Sequence, residues 1–301
     1  MTDPLKIVLV GAGHMGRLHA RALAERADAR LVAVCDTDLV AARAVAEPFG
    51  ARASADVRDA ARGADAAILA AATAAHHDLA LALLDAGVAL LVEKPLAASA
   101  AGARDIAQAA RRAGAVVQVG HILRFDPVTR ALAGPGAPGF APRRIEAVWR
   151  SPFTGRSTDV SVVSDMMIHA LDLVLAWTGE MPRAVRASGR IVKGPHLDEV
   201  EAHLDFPGGC SAHLVASRVS EARERRISIE TDGGIIVLDY AARSAERDGK
   251  ALPVAAAPDA LRAQLAAFLD AVRGERPVAV SADEGARAVE VAEQIERAAA
   301  V

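Results

Sequence analysis

Short apolar runs alternate with alanine-rich amphipathic stretches through the first 120 residues of the chain. The runs at 5–10, 31–35, 66–71, 88–93 and 115–119 are nearly continuous in Val, Ile, Leu and Ala, the pattern of strands buried on both faces. Between them, stretches at 14–27, 38–49, 76–86 and 99–113 carry helical periodicity, and Gly50, Gly87 and Gly114 stand where helices end. This alternation predicts a doubly wound parallel sheet with a nucleotide-sized crevice at its strand ends. After Arg124 the pattern changes to a Pro- and Gly-rich stretch at 134–142, a strand at 144–149 and a helix over 163–177. Runs at 183–193, 199–206, 210–219, 225–231 and 234–240 alternate or are β-branched, with turns at Pro207-Gly208-Gly209 and Asp232-Gly233-Gly234. They predict an antiparallel sheet, followed by helices at 258–273 and 283–299. The expected organisation is α/β, with an N-terminal domain over 1–121 and an α+β domain over 122–301.

Composition narrows the function classes. The 301 residues carry 35 Lys and Arg against 38 Asp and Glu, a formal charge of −3, which argues against a nucleic-acid binder that works through phosphate contacts. With 52% hydrophobic and 24% charged residues the chain reads as globular and not disordered. Cys35 and Cys210 stand far apart, so neither a disulfide framework nor a metal cage is expected, and a reducing compartment fits. The first residues show no basic segment followed by a long apolar one, and no later run has the roughly 18 uncharged apolar residues of a membrane span. A cytoplasmic protein with no membrane partner is expected.

Gly11-Ala12-Gly13-His14-Met15-Gly16 follows the apolar strand KIVLV and opens a helix. Glycines in that setting allow a tight turn and close backbone approach to a pyrophosphate, which the helix N-terminus attracts. Asp36 closes the second strand about 20 residues on, where a carboxylate accepts ribose hydroxyls or, alternatively, caps the helix beginning near Asp38. No Arg follows it directly, so NAD is favoured over NADP. Glu93-Lys94-Pro95 ends another strand; Lys94 there either stabilises a developing alkoxide or is a surface Lys at a turn, and spacing alone favours the latter. In the segment 165–177 the ionisable residues are Asp165, His169 and Asp172. At about 100° per residue they form one polar stripe within roughly 60° on an apolar helix. Such a stripe is either a satisfied core network or an acid/base site, with His169 the natural general base.

Taken in order, GAGHMG, Asp36, EKP at 93–95, RFDP at 124–127 and DxxxHxxD at 165–172 resemble the Gfo/Idh/MocA oxidoreductases over essentially the whole chain. The resemblance implies a Rossmann domain that binds NAD(P) and a second domain with an open, mainly antiparallel sheet that helps form dimers or tetramers. It implies Lys94, Asp165 and His169 as catalytic residues. The cofactor would be held by Gly11, Gly13, His14, Met15, Gly16 and Asp36, with Thr73 and His76 after the strand at 66–71 and with Glu93 and Lys94. VGHILRFDPV at 119–128 and RSTDVSVVSDMMIHALD at 156–172 are similar to the UDP-N-acetylglucosamine 3-dehydrogenase subgroup. The implied substrate is a sugar nucleotide, a UDP-linked amino sugar oxidised at C3. Two departures stand out: Ala170 where that run commonly has Asp, and Ala72 where many members have Pro.

His121, Arg124, Arg150 and Arg156 are candidates for substrate contacts because Arg matches phosphate oxygens bidentately, and Asp172 is placed beside the substrate. A solvated or ion-paired role fits each Arg equally well. Arg223, Arg225 and Arg226, interleaved with Glu221 and Glu224, read as a solvated strand edge. His76 and His77 lack helical metal spacing, so no metal site is expected. Three alternatives share this sequence: a carbonyl, ketosugar or imine reductase on the same fold, an NAD-binding regulatory protein with a vestigial site, and a glycosidase that uses NAD transiently.

Overall fold

The computed structural model describes residues 3–132, 140–155, 159–256 and 259–300. Their contacts divide the chain into two compact units, Met1–His121 with Leu261–Ala286, and Ile122–Ala260 with Arg287–Val301. The segment Leu261–Ala286 therefore groups with the N-terminal residues, although the sequence predicts one division after residue 121.

In the first unit the elements run β1 (Leu5–Val10), α1 (His14–Ala24), β2 (Ala29–Cys35), α2 (Leu39–Ala46), β3 (Arg52–Ser54), α3 (Val57–Ala60), β4 (Ala66–Leu69), α4 (His76–Asp85), β5 (Ala89–Val92), α5 (Ala100–Ala113) and β6 (Val117–Val119). All six strands are parallel, in the order β3-β2-β1-β4-β5-β6. Successive connections leave β1 in opposite directions, so a crevice opens at the carboxyl ends of β1 and β4. The near-continuous apolar strands are explained by burial on both faces: Ile7, Val8, Ala67, Leu69, Leu90 and Leu91 are fully inaccessible. Leu265, Phe268 and Leu269, from the later helix Ala260–Val272, belong to this same core. Asp38 caps α2 by accepting from the N–H groups of Val40 and Ala41, Asp56 caps α3, and Ser99 caps α5.

The second unit continues with α6 (Pro127–Arg130), β7 (Pro142–Arg150), a π-helical turn (Val163–Met167), α7 (Ile168–Thr178), β8 (Ala184–Arg190), β9 (Glu199–Asp205), β10 (Ser211–Ser217), β11 (Glu224–Thr231), β12 (Gly234–Asp239), β13 (Ser244–Arg247) and β14 (Lys250–Ala251). Two helices close the chain, α8 (Ala260–Val272) and α9 (Ala282–Ala299). The eight strands form one sheet in the order β14-β13-β12-β11-β7-β10-β9-β8, antiparallel except where β7 meets β10. One face is apolar and packed: Ile145, Ala147 and Trp149 alternate inward on β7, as Ile227 and Ile229 do on β11. α7 lies against β7 and β10 and is buried almost all round, which is why its sequence is apolar on every side. Among the described residues no helix is long and apolar enough to cross a membrane.

Candidate functional site

At the first crevice the glycine motif turns between β1 and α1. Gly11 has φ +100°, and a Cβ there would stand 2.5 Å from the Ala70 carbonyl oxygen; a Cβ on Gly16 would stand 1.9 Å from the Gly11 oxygen. Both glycines are thus demanded by the protein itself. Gly13 differs, because a Cβ there would meet nothing within 4 Å. It is the N-cap of α1, no side chain caps that helix end, and the first turn holds no acid. His14 is exposed and Met15 half-buried on that turn. The uncapped N–H groups and the space above Gly13 suit a pyrophosphate.

Asp36 ends β2 beside this turn. Its Oδ2 accepts from the Ala12 N–H at 2.7 Å and its Oδ1 from the Asp38 N–H at 2.9 Å. The capping role left open for Asp36 falls to Asp38, and Asp36 is held by backbone with its carboxylate half-buried at the loop. These residues fit the adenosine half of NAD, and the negative charge of Asp36 disfavours a 2′-phosphate.

Beyond β4, Thr73 opens a short turn and is half-buried, while Ala72 has φ −61° and ψ 139°, the backbone that proline would impose. Alanine therefore keeps the conformation at this departure. His76 is 1% exposed, with Nδ1 2.9 Å from the Pro95 carbonyl and Nε2 3.1 Å from that of Ala71. It ties together the loops after β4 and β5. Burial lowers its pKa, against the pull of the carbonyl contacts. Glu93 is buried and its carboxylate lies 2.7 Å from His19 Nε2. Burial alone would raise the Glu93 pKa, but the His19 hydrogen bond and the charges of His19 and Lys94 bring it below the usual range. Lys94, half-buried, follows directly, and His121 is buried just past β6.

In the second unit, Asp165 and His169 line one cavity of about 690 Å³, within the range of small-molecule sites. The sequence predicts a continuous α-helix here, whereas Val163–Met167 is a π-helical turn and α7 starts at Ile168. The simple 100° stripe is thereby corrected, since a π turn changes the angular step at Asp165. Glu296, on α9, accepts from the hydroxyls of Ser161 and Ser164 and so fixes the start of this turn. Asp165 and His169 are half-buried, and so is Ser164, while Val163, Met166, Met167, Ile168 and Ala170 around them are buried.

Asp172 leaves the stripe. It is 1% exposed and takes the Arg124 guanidinium in a bidentate pair, Nε to Oδ2 at 2.7 Å and Nη2 to Oδ1 at 2.8 Å. Two of the residues placed beside the substrate are thus joined to each other, and neither lines this cavity. Arg150 alternates to the opposite face from Trp149 and lies 3.5 Å from Glu224, the ion-paired alternative left open for it. Arg156 lies outside the described residues.

Several residues on the cavity wall were not singled out from the sequence as site residues. Trp149 and Tyr240 meet at 5.3 Å between ring centroids, and the Tyr240 hydroxyl pairs with Thr129 Oγ1 at 2.8 Å. Burial drives the Tyr240 pKa up. Arg218 is buried and donates from Nε to Asp198 at 2.6 Å and from Nη1 to the Val160 carbonyl at 2.8 Å. Arg223 and Arg225 also line the cavity, which corrects the solvated-edge reading: β11 sits inside the sheet, between β12 and β7. Period-two alternation puts Arg225 on the side of Ile227 and Ile229, the signal that could have found it. Elsewhere, Glu201, His203 and His213 bring donor atoms within 4.8 Å of one another across β9 and β10, a cluster that strand pairing creates.

The comparisons agree with this architecture. Residues 5–121 match the family described as "Oxidoreductase family, NAD-binding Rossmann fold", and residues 141–237 match the GFO/IDH/MocA C-terminal domain. The chain belongs to the GFO/IDH/MocA family of NAD-binding oxidoreductases. It is 36% identical to UDP-N-acetylglucosamine 3-dehydrogenase of Acidithiobacillus ferrooxidans, over 73% of this chain and 69% of that one. It is 30% identical to inositol 2-dehydrogenase of Rhizobium meliloti, over 77% and 74%. Among solved structures, UDP-N-acetylglucosamine 3-dehydrogenase GnnA from Acidithiobacillus ferrooxidans superposes with a TM-score of 0.92 at 32% identity, covering 99% of this chain and 98% of that one. The protein is accordingly an NAD-binding oxidoreductase that acts on CH–OH groups.

Proposed function

We propose that the protein oxidises a secondary hydroxyl of a sugar, and that the substrate is a UDP-linked amino sugar attacked at C3. The observation that carries the chemistry is the pair Asp165 and His169, the half-buried ionisable groups of a largely buried helical segment, on the wall of a cavity of about 690 Å³. The substrate class is supported by the likeness to UDP-N-acetylglucosamine 3-dehydrogenase in both sequence and fold.

In this reading His169 removes the hydroxyl proton, Asp165 orients the imidazole, and Lys94 donates to the same oxygen as negative charge grows on it. Bound NAD supplies the acceptor for hydride from the carbinol carbon. Gly11, Gly13 and Gly16 with the N-terminus of α1 would hold the pyrophosphate and Asp36 the ribose, and Thr73 would also contribute to holding the cofactor. The active form is a homodimer or homotetramer in the cytoplasm, and light scattering measures the assembly directly.

The test mixes enzyme at stoichiometric concentration with NAD and a panel of UDP-sugars and free sugars, following nicotinamide absorbance and the acid-quenched products together. A keto product from one UDP-amino sugar supports the proposal. NAD binding without any product across the panel overturns it.

A further inference from the structure

The cavity that holds Asp165 and His169 also exposes two cations to which the chemistry above gives no task. Arg223 immediately precedes β11 and Arg225 is its second residue, and both side chains line the cavity. Arg223 makes no ion pair or hydrogen bond among the described residues. Arg225 is half-buried, and its Nε is buried without a hydrogen-bond partner among them. Burial and the like charge of Arg223 both lower the Arg225 pKa, with Asp165 acting the other way. Neighbouring charges on the wall already have work: Arg218 is paired to Asp198, and Asp126 caps α6 through the Val128 N–H at 2.8 Å.

Two guanidinium groups set side by side against a cavity, one with a buried donor unspent, form an arrangement that an incoming anion completes. Planar guanidinium forks fit phosphate oxygens in particular. A volume of about 690 Å³ is large for a lone monosaccharide and leaves room for a charged group beside it. We propose that Arg223 and Arg225 form a diphosphate subsite, which takes the phosphate groups of a nucleotide sugar while its hexose lies toward His169. The proposal rests on the sugar-nucleotide reading of this cavity and assigns the residues that would distinguish such a substrate from a free sugar.

Calorimetry with UDP as the probe tests it without turnover, on the full chain in its native assembly. The wild type should bind UDP, with affinity falling as salt rises, and Arg225→Met and Arg223→Met should each weaken it tenfold or more. Arg226→Met is the control: Arg226 is exposed and alternates to the other face, so UDP affinity should not change. NAD affinity and the thermal midpoint are measured on every variant. If Arg225→Met fails to fold, the exposed Arg223 still decides the matter. UDP binding that is absent in the wild type, or equal in wild type and both Met variants, overturns the subsite. Oxidation of a UDP-sugar with unchanged KM in both variants overturns the subsite and leaves the dehydrogenase reading standing. Arginine-dependent UDP binding with no UDP-sugar oxidation keeps the subsite and overturns the substrate reading.

Discussion

The Asp172 carboxylate, 1% exposed, is gripped through both oxygens by the Arg124 guanidinium at 2.7 and 2.8 Å. This pair joins α7 to the turn before α6, inside one unit. Its first consequence concerns stability. Arg124→Ala leaves a carboxylate buried without its counter-charge and should cost about 3–5 kcal/mol. Asp172→Ala should cost less, since the Arg124 side chain keeps 19% exposure and some access to water. The double variant Arg124→Met with Asp172→Leu should regain most of the loss. Urea unfolding of the three variants checks the order.

The glycine turn makes a separable prediction. Gly16→Ala places a Cβ 1.9 Å from the Gly11 oxygen and should lower both stability and NAD affinity. Gly13→Ala meets nothing within 4 Å, at a φ of −70° that any residue accepts. It should fold normally and lose NAD affinity, because the added methyl takes space meant for the pyrophosphate. Thermal melts paired with NAD titrations separate the two effects.

Acid sensitivity should centre on Asp198. Burial would raise its pKa, but the N–H groups of Gly194 and Lys193, the Arg218 guanidinium and the Val192 N–H pull it far below the usual carboxylate range. The folded state therefore holds the ionised form more tightly than the unfolded chain does. Its contribution is fully present above the unfolded pKa of about 3.9 and fades as pH falls below that value. Stability measured between pH 3 and pH 7 should drop on the acid side, with a shallower slope in Asp198→Asn, which binds no proton there. A slope unchanged by the substitution would place the acid loss elsewhere.

For the chemistry, His169→Ala should lower kcat by about 10²–10⁴, the usual worth of a general base. NAD affinity should stay within about twofold, since the proposed role is proton removal and not cofactor binding. Turnover at saturating NAD reads the first quantity and an NAD titration of the variant reads the second.

Much of this was legible in the sequence because burial writes itself into the period of apolar residues. The strands of the first sheet, buried on both faces, stand out as apolar runs, and the glycine turn and Asp36 lie where their spacing puts them. What escaped was short or non-local. Arg52–Ser54 and Lys250–Ala251 are too brief to show a period, and the partnership of Phe268 with the N-terminal core joins residues more than 200 positions apart. The π turn at Val163–Met167 breaks the helical step on which the Asp165-His169-Asp172 stripe depended, and sequence offered no sign that Arg124 would claim Asp172. Arg225 was misread because its neighbours Glu224 and Arg226 suggested solvent, although alternation along an interior strand turns it to the cavity.

The central claim is that a sugar C–H delivers its hydrogen to nicotinamide in this protein. The most direct measurement uses UDP-N-acetylglucosamine deuterated at C3, NAD and stoichiometric enzyme, with NMR of the recovered nicotinamide and sugar. The account predicts deuterium at nicotinamide C4 and a 3-keto sugar that has lost the label. Label kept at C3, with nicotinamide still oxidised, would contradict it.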